Sequence, residues 1–252
     1  MKYLIFASLL FLNSCNYKVK TNTDFSKSKE LSFYTSDSIK IFADLYEVNK
    51  ESPTILLFHQ GASNSRAEYE RIIPRLVKSG YNVLAIDQRM GGQRYGKYNR
   101  TVSEFSKNNY TYCDAYADLD AALTYIIDQG FIGNKLLWGS SYSASLAIQL
   151  ASKRSNDVAA VLAFSPSSGG PMKSCKPDDY FKSLKAPLLL LRPKREMEIE
   201  SVQKQFDLAK ANGHETYIAE HGTHGSSMLV EERVAENVEA NWNVVLNFIQ
   251  KI

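Results

Sequence analysis

The residues best suited to chemistry are a serine, a pair of acids and a pair of histidines, spread over the second half of the chain. The serine stands in Gly139-Ser140-Ser141-Tyr142-Ser143, just after the apolar run Leu136-Leu137-Trp138. The acids, Glu196 and Glu198, follow Pro187-Leu188-Leu189-Leu190-Leu191-Arg192-Pro193. The histidines, His221 and His224, lie in Glu220-His221-Gly222-Thr223-His224-Gly225. A loop histidine flanked by glycines has little packing to do, so its imidazole is available for proton transfer. A hydroxyl, a carboxylate and an imidazole are the parts of nucleophilic catalysis, provided the fold brings them together.

The surrounding sequence supplies elements that can do so. Leu31 to Tyr34 and Ile39 to Val48 alternate apolar and polar residues around Ser36-Asp37-Ser38, which predicts an antiparallel hairpin. Thr54 to Phe58 is a continuous apolar run, as expected of a strand buried on both faces. Further strands are predicted at Tyr81 to Ile86, Lys135 to Trp138, Val158 to Phe164, Pro187 to Leu191 and Thr216 to Ala219. Helical patterns fall between them: Arg66 to Ser79 (with Pro74 as a bend), Asp114 to Gln129, Tyr142 to about Lys153, and residues 200–212 and 231–250. Strand and helix alternate with short links, which predicts an α/β fold with a mostly parallel sheet and helices on both faces. One long irregular segment, Arg94 to Cys113, carries Tyr95, Tyr98, Phe105, Tyr110 and Tyr112, and these tyrosines are candidates to wall a cleft.

The stretch around Ser141 resembles the nucleophile elbow of the α/β-hydrolases, Gly-x-Ser-x-Gly, with Ser143 in place of the last glycine. The resemblance extends over roughly residues 31–252. It implies an α/β-hydrolase fold of about eight strands, and no stretch is long enough for a large cap domain. It also implies the chain order serine, acid, histidine. His224 matches the family's Gly-x-His-Gly segment, with His221 as the alternative base. Glu196 falls where the family's aspartate stands after Ala-Pro and four apolar residues, with Pro193 replacing the usual glycine. Glu198 is the alternative acid. Asp87, which ends a strand, resembles a structural position of the family. The backbone N–H groups of Tyr142 and of Gly61, in His59-Gln60-Gly61, are the implied oxyanion donors, with Gln60 second to Gly61. His59 reads as a structural loop residue.

The chain begins with the positive pair Met1-Lys2 and an uncharged apolar run from Tyr3 to Leu12. At about ten residues, that run suits a secretory signal better than a membrane span. It ends in Leu12-Asn13-Ser14-Cys15, which resembles a bacterial lipobox, with Asn13 an imperfect match. The expectation is a lipoprotein signal over residues 1–14, a lipid on Cys15, a polar tether over residues 15–30, and an exported domain held at a membrane surface. Cys113 and Cys175 then remain, either as one disulfide suited to an exported protein or as two semi-buried thiols.

Composition narrows the rest. With 252 residues, 44% of them hydrophobic, and a formal charge of +3, the chain is globular and has no basic cluster of the kind nucleic acid demands. Four histidines are present, but only His221 and His224 have metal-ligand spacing, and the triad segment explains them better. No metal or organic cofactor is therefore expected. The expected function is that of a monomeric serine hydrolase, similar to the esterases and dienelactone hydrolases, acting on a small-molecule carboxylic ester through an acyl-enzyme. A peptidase or acyltransferase on the same residues, or an inactive lipid-anchored binding protein, are the alternatives.

Overall fold

The structure is a computed structural model, and it describes residues 27–104 and 110–252. The leader, Cys15, most of the tether and Phe105 lie outside the described residues. Eight strands form one sheet in the order β1-β2-β4-β3-β5-β6-β7-β8. They are β1 (Lys29–Tyr34), β2 (Lys40–Tyr46), β3 (Thr54–Phe58), β4 (Asn82–Asp87), β5 (Lys135–Ser140), β6 (Ala160–Phe164), β7 (Leu188–Pro193) and β8 (Glu215–Ala219). β1 pairs antiparallel with β2, and β2 with β4, while every other pairing is parallel. β1 begins at Lys29, so two residues read as tether are part of the sheet, where they pair with Leu45 and Asp44.

The central strands are apolar without alternation because both faces are covered. Every residue of β3, β4 and β6 is buried. Side chains of successive residues point to opposite faces. Leu56, Phe58, Leu137 and Ala163 therefore pack under α4 (Tyr116–Asp128), α5 (Tyr142–Lys153) and α6 (Glu200–Ala211). Ile55, Leu57, Trp138 and Leu162 pack on the other face against α1 (Ser65–Tyr69), α2 (Ile73–Lys78) and α8 (Glu239–Ile249). Two short helices, α3 (Arg100–Ser103) and α7 (Glu231–Val234), complete the set.

Two predicted helices are in fact broken. The span 66–79 divides into α1 and α2, with Pro74 in the first turn of α2, where its missing N–H leaves no helical bond unmade. The span 231–250 divides because Ala235 adopts a left-handed φ of 62° that ends α7. No cap domain is inserted among the described residues. Between β6 and β7 lie two 3-10 turns, Gly170–Met172 and Pro177–Asp179. Cys113 and Cys175 form a disulfide across a separation of 62 residues, with Cα atoms 5.7 Å apart. Closing a loop of that length stabilises the fold by about 4 kcal/mol on chain-entropy grounds. The bond also holds the Tyr112 turn beside the Met172 turn.

Candidate active site

The C-terminal ends of the parallel strands carry the candidate residues, and a cavity of about 430 Å³ opens there. Ser141 follows β5 directly and precedes α5. Its φ of 62° and ψ of −124° are sparsely populated for a residue with a side chain. The conformation persists because both flanks are fixed: the Ser141 N–H donates to Phe164 O at 2.8 Å, and α5 starts on the next residue. The hydroxyl is thereby presented at the cavity wall, 3.4 Å from Ser167 Oγ.

Ser143 accounts for its own departure from the family pattern. Its Oγ accepts the Ser140 N–H at 3.0 Å and lies 2.6 Å from Phe58 O and 2.9 Å from His59 O. A glycine would take that hydroxyl away from the Ser140 N–H and from both carbonyls, of which Phe58 O keeps the Tyr69 hydroxyl at 2.7 Å. The hydroxyl instead ties the elbow to the end of β3, where the Gly61 loop begins.

His224 follows β8 on a loop strapped across the sheet. The Gly225 N–H donates to Ser165 Oγ at 3.0 Å, and the Ser226 N–H donates to Ser140 Oγ at 3.0 Å. Gly225 has φ +69°, and a Cβ there would meet Ser140 Oγ at 2.2 Å, so only glycine lets the loop lie so close. His224 Nδ1 is 2.5 Å from Glu196 Oε1. A carboxylate only accepts, so Nδ1 carries the proton and Nε2 is left as a base. Ser141, His224 and Glu196 all line the one cavity. No hydrogen bond joins Ser141 to His224 in this structure, and such contacts commonly tighten only with substrate in place.

Glu196 sits on a 3-10 turn, Lys194–Glu198, directly after β7. Burial pushes its carboxyl up, but the His224 hydrogen bond and the Arg192 charge outweigh that and hold it below the usual glutamate value. Glu198 and His221 are exposed and line no part of the cavity. The structure therefore brings Glu196 and His224 together and leaves the two alternatives outside.

The loop after β3 separates the two oxyanion candidates. The Gln60 N–H donates to the buried carboxylate of Glu68 at 2.9 Å. Among the described residues, the Gly61 N–H has no acceptor. Tyr142 is the first residue of α5, where a helix leaves its N–H without an internal partner. His59 Nε2 accepts the Gln88 N–H at 2.9 Å, and Nδ1 lies 2.8 Å from Gln60 O, so its ring holds the loop and has no free base. Asp87 binds the Ser65 N–H, the Ser65 hydroxyl and Arg100, a structural set of contacts.

Tyr112 forms part of the cavity wall, lies over Gly61 and packs at 4.7 Å against Tyr142. Tyr95 and Tyr98 are exposed, and Tyr110 lies by Arg89. Sequence reasoning missed Glu68, Ser167 and Arg192. Glu68 and Ser167 stand in no motif, Arg192 stands in the stretch before Glu196 without a role implied for it, and only the fold places the three side chains here. Among the described residues no group of three or more His, Cys, Asp or Glu side chains could hold a metal ion. Nor is any helix there long and apolar enough to cross a membrane.

Known proteins share this arrangement of elements. The chain is similar to an esterase of Pyrococcus furiosus, with 21% identity, a TM-score of 0.67, and coverage of 89% of this chain and 91% of that one. It is similar to a candidate dienelactone hydrolase of Klebsiella pneumoniae, with 14% identity, a TM-score of 0.65, and coverage of 90% and 99%. An acylaminoacyl peptidase of Pyrococcus horikoshii matches at 16% identity and a TM-score of 0.65, over 89% of this chain but 41% of the peptidase. The family model described as alpha/beta hydrolase fold matches residues 53–231. The chain belongs to the α/β-hydrolase fold family.

Proposed function

We propose that the protein is a serine hydrolase that cleaves a carboxylic ester through an acyl-enzyme. Ser141 Oγ attacks the carbonyl carbon while His224 Nε2 takes its proton. Glu196 holds the imidazole in the required tautomer and stabilises the imidazolium. The Gly61 and Tyr142 N–H groups receive the tetrahedral oxyanion. Collapse breaks the C–O bond as His224 returns the proton to the departing alcohol. A water activated by His224 then releases the acid and restores Ser141.

The observation that carries this reading is the 2.5 Å contact between His224 Nδ1 and Glu196 inside the cavity that Ser141 lines. Pro171, Met172, Ile199 and Val202 give the same cavity an apolar side, which suits an uncharged acyl or alcohol group. A fluorophosphonate probe is expected to label Ser141 covalently, mapped by mass spectrometry, and an ester panel of varied acyl length then ranks substrates. Folded protein that stays unlabelled would rule the reading out. An N-acyl peptide belongs in the panel, because the similarity to an acylaminoacyl peptidase leaves amide cleavage as the second reading.

We also propose that the enzyme is exported and tethered to a membrane by a lipid on Cys15, with Leu12-Asn13-Ser14-Cys15 as support. Cys15→Ser is expected to move the protein from the membrane to the soluble fraction. Retention in the membrane fraction would overturn the anchor.

A further inference from the structure

Arg192 is the last residue but one of the buried strand β7 and is 2% exposed, yet it reaches the cavity wall. Its Nη1 donates to Glu196 Oε2 at 2.9 Å. Its Nη2 donates to Gln205 Oε1 at 2.6 Å and to Pro166 O. Both oxygens of Glu196 are thus engaged, Oε1 by His224 and Oε2 by Arg192. A glutamate in this role has one more rotatable bond to fix than an aspartate, and its turn is flanked by the exposed residues Lys194, Arg195 and Glu198. A rigid guanidinium fork rooted in the sheet supplies the missing constraint.

We propose that Arg192 is a positioning residue for the reaction: its guanidinium holds Glu196 Oε2 and so orients Oε1 on His224 Nδ1. This rests on Glu196 and His224 being the acid–base pair of the proposed hydrolase. Other groups facing this chain are Asp178, from the turn Pro177–Asp179, which acts on Arg192, and Glu68, from α1, which lies beneath Gly225. Lys194 and Glu220 are exposed and pair with each other.

The test is steady-state ester kinetics on the full-length protein, with Tm measured for each variant. Arg192→Lys keeps the charge but loses the fork, and its kcat is expected to fall roughly tenfold to a hundredfold at unchanged KM, the signature of misplacement. Arg192→Gln keeps a donor without the charge and is expected to lose at least as much kcat, again at unchanged KM. In a Glu196→Gln background, where there is no carboxylate left to orient, Arg192→Lys is expected to cost no further kcat. A folded Arg192→Lys protein with wild-type kcat, or a substitution that costs as much in the Glu196→Gln background as alone, overturns the proposal. Loss of the functional reading shows separately, as absent fluorophosphonate labelling and absent turnover in the wild-type protein.

Discussion

Alanine in place of His224 is expected to lower ester kcat/KM by about 10⁴- to 10⁶-fold, the cost of removing the base from a serine nucleophile. Glu196→Gln is expected to cost roughly 10³- to 10⁴-fold, because the amide breaks the charge and the tautomer control at once. Glu198→Gln is expected to change nothing measurable, since that side chain is exposed and lines no part of the cavity. Steady-state kinetics on one ester, with Tm measured for each protein, separates chemistry from folding. The separation matters for Glu196. Its folded pKa lies below its unfolded one, so its pairing stabilises the protein at neutral pH. That contribution is complete above the unfolded glutamate pKa of about 4.3 and is lost as the pH falls through the lower, folded value. Glu196→Gln therefore loses stability at pH 7 as well as activity, and the pH 7 stability difference shrinks in acid. The reverse outcome, an active Glu196→Gln and an impaired Glu198→Gln, would move the acid two residues along the chain.

The sheet was largely legible because its strands report burial directly. Ile55 to Phe58, Val158 to Phe164 and Pro187 to Leu191 are apolar without a break, as short strands covered on both faces are. The serine was legible because a strand, a small-residue turn and a helix leave little choice about where the hydroxyl goes. Helix continuity was less legible. The left-handed Ala235 that ends α7 carries no glycine or proline signal, and the periodicity of 231–250 runs through it. Side-chain partners that no motif or cysteine pair implies were not legible. Glu68 stands eight residues after Gln60, and nothing in that spacing says that its carboxylate will take the Gln60 N–H and leave Gly61 as the open donor. Arg192 stands just past the predicted strand Pro187 to Leu191, and nothing in that position says that its side chain will be buried and paired with Glu196.

One physical habit joins these observations. Loops crossing the top of the sheet are fastened by serine hydroxyls: Ser143 to the β3 end, Ser140 and Ser165 to the His224 loop, and Ser145 to Ser167 O at 3.2 Å. A buried hydroxyl satisfies backbone groups that a close turn strands away from water. The missing final glycine of the elbow is one case of this pattern, which is why Ser143 fits an elbow that elsewhere uses glycine.

Gly139→Ala is expected to be the most damaging small substitution at the elbow. A Cβ at Gly139 would stand 2.4 Å from Ala144 Cα, 2.5 Å from Ala144 N and 2.5 Å from Ser143 O. All three are backbone atoms of the first turns of α5, so no side chain can swing aside. Relief requires α5 to lift from β5, which breaks packing on the face where Ala144 and Ala147 meet the sheet. Overpacking of this kind costs upwards of about 3 kcal/mol, and for a chain of this size that lowers Tm by roughly 10 °C. Ser143→Ala is the matched control: it leaves the close approach intact and removes only the hydroxyl that bridges to Phe58 O and His59 O. Its expected loss is about 1 to 3 kcal/mol, from the buried Ser140 N–H that loses its acceptor and from the lost tie to the β3 end, where Phe58 O keeps the Tyr69 hydroxyl. Thermal melts of the two variants against wild type read the difference. If Gly139→Ala melts with the wild-type protein, the strand and helix are not in the close contact described here, and the strained Ser141 backbone would need another cause.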